Sequence, residues 1–232
     1  MDRANIKRRA KAAFLNDYWN LVWIVLAAIV LIAGPYVLLA DKDFFYGLED
    51  GFSFSVNFSW DPKSIITLVY TIFAGNVFAV GLAKIGLAAF RGEEYSFEEL
   101  FYFFKEGRYL RVMGTMALVS AFTTIGFACL VIPGIIVSLG LSQVVYLLAT
   151  DESIAFMDAL KKSWEMMRGY KGDLFIVILS FFGWFLFAAV TALIGGVLFV
   201  NPYLTLTFAG YHNDLRQVRG MDVGVMDPEM TL

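Results

Sequence analysis

The sequence predicts an all-α membrane protein of six transmembrane helices arranged as hairpins, with amphipathic helices along the interface. Three observations predict it. Of 232 residues, 59% are hydrophobic and mean hydropathy is +0.68, whereas a soluble domain sits near about 45–50% apolar. Only 17% of the chain is charged, and those residues are segregated between long charge-free runs. The runs themselves have the lengths of single or paired bilayer crossings. A net charge of −3 gives no electrostatic case for nucleic acid. The single cysteine, Cys129, excludes an intrachain disulfide.

The first run, Trp19 to Ala40, has 22 residues without a charge. As a helix it covers about 33 Å, against roughly 30 Å of hydrocarbon. It is too long for a signal-peptide core and no small-residue cleavage site follows, so it reads as an uncleaved anchor. The second, Ile65 to Phe90, is entered through Asp61-Pro62, an N-cap followed by a first-turn proline. Val112 to Ala149 and Leu174 to Tyr211 are each 38 residues long and free of Asp, Glu, Lys and Arg. One helix of that length would measure about 57 Å, so each run must cross twice. Breakers stand where the turns are needed, at Pro133-Gly134 in one and at Gly195-Gly196 and Asn201-Pro202 in the other. The predicted spans are 19–40, 65–90, 112–132, 135–149, 174–194 and 197–215. They form one membrane domain over residues 1–218, with 219–232 as a mobile cytoplasmic tail.

Orientation follows from the basic residues. Segments 3–11, 91–111, 161–171 and 216–219 carry 15 of the 18 Lys and Arg, and six spans put all four on one side. The other side holds Lys42 and Lys63 with five acids. Both termini are expected in the cytoplasm. Three cytoplasmic segments read as interfacial helices or as plain connectors of the bundle. Residues 3–16 mix Ile6, Ala10 and Phe14 with five bases; Ser96 and Glu99 form a capping-box pair ahead of Leu100, Phe101, Phe103 and Phe104. From Ser153 to Arg168, Ile154, Met157, Leu160, Trp164 and Met167 recur on one face. Such helices bind lipid surfaces through apolar area plus about 1 kcal/mol per base. The two hairpin runs echo each other as well: Ile125-Gly126 precedes Pro133 as Ile194-Gly195 precedes Pro202, with Gly140 and Gly210 following. Repeats with broken helices are a transporter habit; chance is the alternative.

In order along the chain stand Leu130-Val131-Ile132-Pro133-Gly134-Ile135, Tyr146-Leu147-Leu148 with Asp151, Ala159-Leu160-Lys161-Lys162-Ser163, Met167-Arg168-Gly169-Tyr170-Lys171, Leu179-Ser180-Phe181-Phe182-Gly183-Trp184, Ile194-Gly195 and Pro202-Tyr203. In that order, over roughly residues 85–218, they resemble the prokaryotic integral membrane family of domain of unknown function 975. That family looks distantly similar to the membrane domain of glycerophosphodiester phosphodiesterases. The resemblance implies a multi-helix domain in a prokaryotic cell membrane. It implies no reaction, ligand or catalytic residue.

The external segment departs from that pattern. Phe52, Phe54, Val56, Phe58 and Trp60 alternate with Ser53, Ser55, Asn57 and Ser59, the period of a strand. Such a strand must pair with another segment or chain; the alternative is an aromatic belt at headgroup level. Phe52, Phe54, Phe58 and Trp60 are therefore candidates for docking a partner.

No catalytic constellation is present. His212 is the only histidine, which excludes a multi-histidine zinc site, and it reads as a polar helix end. Cys129 reads as a small packing residue. Neither a cofactor nor a metal is expected. Lys84, the one charge within a span, lies near the cytoplasmic end and either snorkels to headgroups or serves as a ligand or counter-ion. Asn76 is deeper and must bond across helices or line a cavity, with Gln143 and Ser142 as available polar partners. Thr71, Gly75, Ala79 and Ala83 recur every four residues, a small-residue stripe for close helix approach. The expected role is a non-catalytic membrane module, in contact with the lipid bilayer, that binds or organises other membrane components by contact with another membrane protein or by self-association. A small permease or lipid-handling protein is the alternative, and an enzyme ranks last.

Overall fold

The computed structural model describes residues 2–39, 62–105, 107–191 and 195–221, and all regular structure among them is helical. The aromatic alternation with Phe52, Phe54, Phe58 and Trp60 lies outside the described residues, as does the tail beyond Met221.

Helix α1 (Arg3–Asn16) starts under Asp2, whose carboxylate accepts the N–H groups of Ala4 and Asn5 at 3.1 Å each. Helix α2 (Tyr18–Leu39) contains Pro35. Proline has no N–H to give the Leu31 carbonyl four residues back, and the Tyr70 hydroxyl donates to that carbonyl instead, at 2.5 Å. Helix α3 (Pro62–Tyr70) begins at its proline, as expected for a first-turn position. It continues through a π-helical segment, Thr71–Gly75, into α4 (Asn76–Arg91). Tyr109 donates to the Phe73 carbonyl of that π segment at 2.7 Å. A left-handed glycine, Gly92 at φ 72°, ends α4; Glu93 N–H bonds the Ala88 carbonyl at 2.9 Å and Gly92 N–H the Ala89 carbonyl at 3.3 Å. This is the Schellman pattern, and it turns Glu93 and Glu94 back over the helix end.

A 3-10 segment, Phe97–Phe104, follows Ser96. The capping box expected from Ser96 and Glu99 does not form. Tight winding gives the Glu99 N–H to the Ser96 carbonyl, at 3.2 Å, so the serine hydroxyl has no donor to receive. Helices α5 (Tyr109–Cys129) and α6 (Val131–Leu141) are joined by Leu130 alone, in an extended conformation. The break therefore falls three residues ahead of Pro133-Gly134. Pro133 sits in the first turn of α6, where its missing N–H is not needed. Gly134 accepts the Phe127 ring: a Cβ there would lie 2.4 Å from it. Helix α7 (Val144–Thr150) follows after Ser142-Gln143, then α8 (Phe156–Met166), α9 (Lys171–Leu179), α10 (Phe182–Val190), a second π segment, Gly196–Val200, and α11 (Asn201–Val218).

Two of the expected spans are thus each two helices. At both joints a serine hydroxyl bonds the carbonyl three residues back, Ser142 to Leu139 at 2.8 Å and Ser180 to Val177 at 2.5 Å, competing with the helical ladder. Among the described residues five helical stretches are long and apolar enough to cross a membrane: Tyr18–Pro35, Ile65–Arg91, Tyr109–Cys129, Val131–Thr150 and Lys171–Ala188. The helix expected as the sixth, α11, is not one of them, because it carries Asn201, His212, Asn213, Asp214 and Arg216. It packs instead among α1, α2 and α4, with Leu206, Ala209, Tyr211, His212, Asn213 and Leu215 fully buried. The outer helices do the opposite and turn large apolar side chains outward, Leu130 and Ile132 being 70% and 71% exposed. That distribution fits lipid around the bundle and polarity within it.

All four basic segments meet at one end. Arg9 pairs with Asp214 at 3.0 Å, Arg3 with Asp173 at 3.7 Å and Arg108 with Glu152 at 2.9 Å. Tyr95 bonds Asp17, and Arg219 bonds the Met166 carbonyl. Helix α1 buries Ile6, Ala10 and Phe14 in the bundle. Of the face expected around α8, Ile154, Leu160 and Met167 are buried but Met157 and Trp164 are exposed, and Ala159, Ser163 and Met166 turn inward, so the buried face is rotated in part from the expected one. The Ser163 hydroxyl, bonded to the Gly140 carbonyl at 2.8 Å, fixes that rotation. At the echoed positions the local packing can be compared. Pro133 and Pro202 both lie in the first turn of a helix, and Gly140 and Gly210 each receive an aromatic ring, from Trp164 and Phe90.

Candidate functional site

Close approach of α4 and α11 builds the charged end. A Cβ on Gly86 would stand 2.9 Å from Thr205, and one on Gly210 would stand 2.5 Å from the Phe90 ring. On its other side, α4 meets the 3-10 segment at Gly81, where a Cβ would lie 2.7 Å from the Leu100 carbonyl oxygen. Among the glycines of this helix and the π segment before it, neighbours come closest at Gly81 and Gly86, whereas Gly75, the glycine of the stripe Thr71, Gly75, Ala79 and Ala83, has nothing nearer than 4.0 Å.

The convergence brings Arg91, on the last turn of α4, to the Asn213 side chain at 3.4 Å. A cleft of about 370 Å³ opens there, lined by Lys84, Arg91 and Arg216 with Glu93, Glu94 and Glu99. Arg91 also faces Glu93 at 3.7 Å. Arg91 Nε and Glu99 Oε2 are buried there without a hydrogen-bond partner among the described residues. Lys84 is half-buried, with Nζ 3.3 Å from the centroid of the Tyr102 ring. The ammonium is thus held against an aromatic face rather than extended past the helix end. Arg108 also lies over that ring, at 4.6 Å, and the Tyr102 hydroxyl donates to Glu152. That bond, followed by Arg108, holds the Glu152 carboxyl below the usual glutamate range, and it raises the Tyr102 phenol.

Glu93 and Glu94 also line a second cleft of about 380 Å³, completed by Asn16, Asp17, Asn20 and Tyr95. Asp17 accepts from the Tyr95 hydroxyl at 2.8 Å and from Asn20 at 3.0 Å. Burial, then the bond to Asp17, pushes the Tyr95 phenol upward. The two clefts therefore share an acidic wall, with cations on one side of it and Asp17 on the other.

Beneath the first cleft lies a polar layer. Gln143, 2% exposed, gives its amide N–H to Ser142 at 3.0 Å, and its carbonyl lies 3.0 Å from His212 Nδ1. In the neutral ring Nδ1 then carries the hydrogen, and Nε2, buried, has no partner among the described residues. Tyr146 stacks on the imidazole at 5.1 Å. His212 is no helix end, since α11 runs six residues further. The signal was present in the sequence as Leu215, which continues the apolar spacing of Leu206 and Ala209 beyond it. Gln143 thus pairs with His212 and not with Asn76. Asn76 is half-buried at the exit of the first π segment, its Nδ2 buried without a hydrogen-bond partner among the described residues. Asn201, at the same place after the second π segment, bonds the Gly196 carbonyl at 3.0 Å. Asn76, Lys84 and Gln143 are therefore not joined into one site by hydrogen bonds. Cys129, expected in packing, is exposed because α5 ends there.

The family model described as protein of unknown function (DUF975) matches residues 116–219. That stretch takes in the polar layer and α11 but not Lys84 or Arg91. No curated protein and no solved structure gives a significant match to the chain. Over Met116 to Arg219, then, the chain is similar to the family of domain of unknown function 975.

Proposed function

We propose that this protein is a non-catalytic module of the prokaryotic cell membrane that crosses the bilayer six times, keeps both termini in the cytoplasm, and holds a phosphate-bearing membrane component at its charged end. The observation that carries the reading is the convergence of Lys84, Arg91 and Arg216 on one cleft where the apolar shell gives way to charge. Cations at that level favour anionic groups of the interface. The six crossings are supported by three excursions of the chain that leave the charged end and come back to it: residue 17 bonds residue 95, residue 108 pairs with 152, and residues 3 and 9 pair with 173 and 214. An inner α11 needs no lipid-facing hydropathy. A cytoplasmic charged end follows from the basic segments gathered there.

A second reading, a small permease or lipid-handling protein, is favoured by the π segments that lead into the two inner helices, since interrupted helices mark transport sites. The test is detergent-free extraction in lipid discs with mass spectrometry of everything retained. A phospholipid bound in stoichiometric amount, and lost in the double variant Lys84→Gln/Arg91→Gln, is the expected result. A stoichiometric protein partner without lipid, or retention indifferent to those changes, would overturn it; flux of a solute through reconstituted protein would favour the second reading.

A further inference from the structure

We infer that the cleft recognises a zwitterion, a phosphate joined to a primary ammonium, the chemistry of a phosphoethanolamine headgroup; this rests on the proposed membrane-component reading. The cleft is balanced in charge, with Lys84, Arg91 and Arg216 against Glu93, Glu94 and Glu99. Among the described residues, its Arg91 Nε, a donor, and Glu99 Oε2, an acceptor, are buried without a hydrogen-bond partner. The Arg91 guanidinium already meets Asn213 and Glu93 through its other nitrogens, but a buried polar atom left without a hydrogen bond is costly, so a ligand that offers both an acceptor and a donor is favoured over one that offers either alone. Phosphate alone would take Lys84 and Arg91 but bring negative charge up to Glu99, and the like-charge repulsion opposes it. An amine alone would face the three cations. A zwitterion sets its phosphate on the Lys84 and Arg91 side and its ammonium at Glu99.

Two further features favour the ammonium. Glu93 and Glu94 form the wall shared with the Asp17 cleft, and the C-terminal end of α4, just below them, is the negative end of the helix dipole. Glu99 Oε2 needs an N–H donor, which a primary ammonium has and a choline lacks. The volume of about 370 Å³ suits a headgroup of this size.

The test uses the full chain in lipid discs containing phosphatidylethanolamine, phosphatidylglycerol and phosphatidylcholine in equal amounts, with retained lipid counted by native mass spectrometry. The expected result is a preference for phosphatidylethanolamine of roughly tenfold over each of the others. Glu99→Gln should erase that preference while phosphatidylglycerol is kept. Soluble phosphoethanolamine should displace the lipid at concentrations where inorganic phosphate does not. The comparison among the three lipids stands on the wild-type protein, so it decides the matter even if Glu99→Gln fails to fold. Equal retention of phosphatidylethanolamine and phosphatidylglycerol, still dependent on Lys84 and Arg91, would overturn the zwitterion and leave the membrane-component reading intact. Binding of free phosphoethanolamine without lipid retention would keep the zwitterion and overturn the membrane source. No retention and no binding would overturn both.

Discussion

Helices α9 and α10 and the first half of helix α11 share one charge-free run, Leu174 to Tyr211, and use it in opposite ways. The first two expose Phe175, Ile176, Leu179, Phe182, Phe185 and Leu186, while α11 buries Leu206, Tyr211, His212 and Asn213. Apolarity tracks contact with the lipid, so a helix enclosed by others is free to carry asparagine, histidine and aspartate. Association of such helices gains nothing from the hydrophobic effect within lipid and depends on close packing and interhelical hydrogen bonds.

The same contrast should appear in stability, most strongly at glycines. Gly81 on inner α4 faces the Leu100 backbone, which has no rotamer to yield, whereas Gly183 on outer α10 has open space. Gly81→Ala is expected to cost about 3 kcal/mol and Gly183→Ala to be neutral or to stabilise by up to about 1 kcal/mol, read by thermal unfolding in detergent. Equal effects would erase the distinction between inner and outer helices. Next in size is the polar layer. Gln143→Leu or His212→Leu leaves its partner unpaired and should cost about 1–2 kcal/mol, with a coupling of about 0.6 kcal/mol in a double-mutant cycle. The bond from Tyr70 to the carbonyl freed by Pro35 is smaller: Tyr70→Phe should cost about 1 kcal/mol, and Pro35→Ala should restore most of it.

The smallest effect lies at the exposed rim. Glu152 has its folded pKa lowered by Tyr102 and Arg108, so its contribution is present above the ordinary glutamate value and lost as pH falls through the folded one. The stability difference between wild type and Glu152→Gln should accordingly close in acid, and a difference that grows as pH falls would reverse the sign.

The outer half of this architecture was legible in the sequence, and the inner half was not. Charge-free runs, Pro62 at a helix start and the four basic segments could be read directly because they answer to bilayer thickness and to single residues. The break at Leu130 escaped because an extended residue between two apolar helices leaves no compositional mark, whereas Pro133 is conspicuous and merely opens α6. Lys84 was picked out as the lone charge within a span, and it does line the cleft. Its companions Arg91, Glu99 and Arg216 fall in separate segments, read for their basic charge or, for Glu99, for a capping box, and only the crossing of α4 and α11 brings them together. His212 was misread because polarity in a membrane sequence suggests an edge, and an enclosed helix reverses that inference.

Photolabelling with an apolar carbene precursor dissolved in the bilayer, mapped by mass spectrometry on the unmodified protein, tests the inner position of α11 most directly. The structure predicts heavy labelling of α9, α10 and the turn at Leu130–Ile132, and little or none on residues 201–215. Labelling of α11 as dense as that of α10 would contradict it.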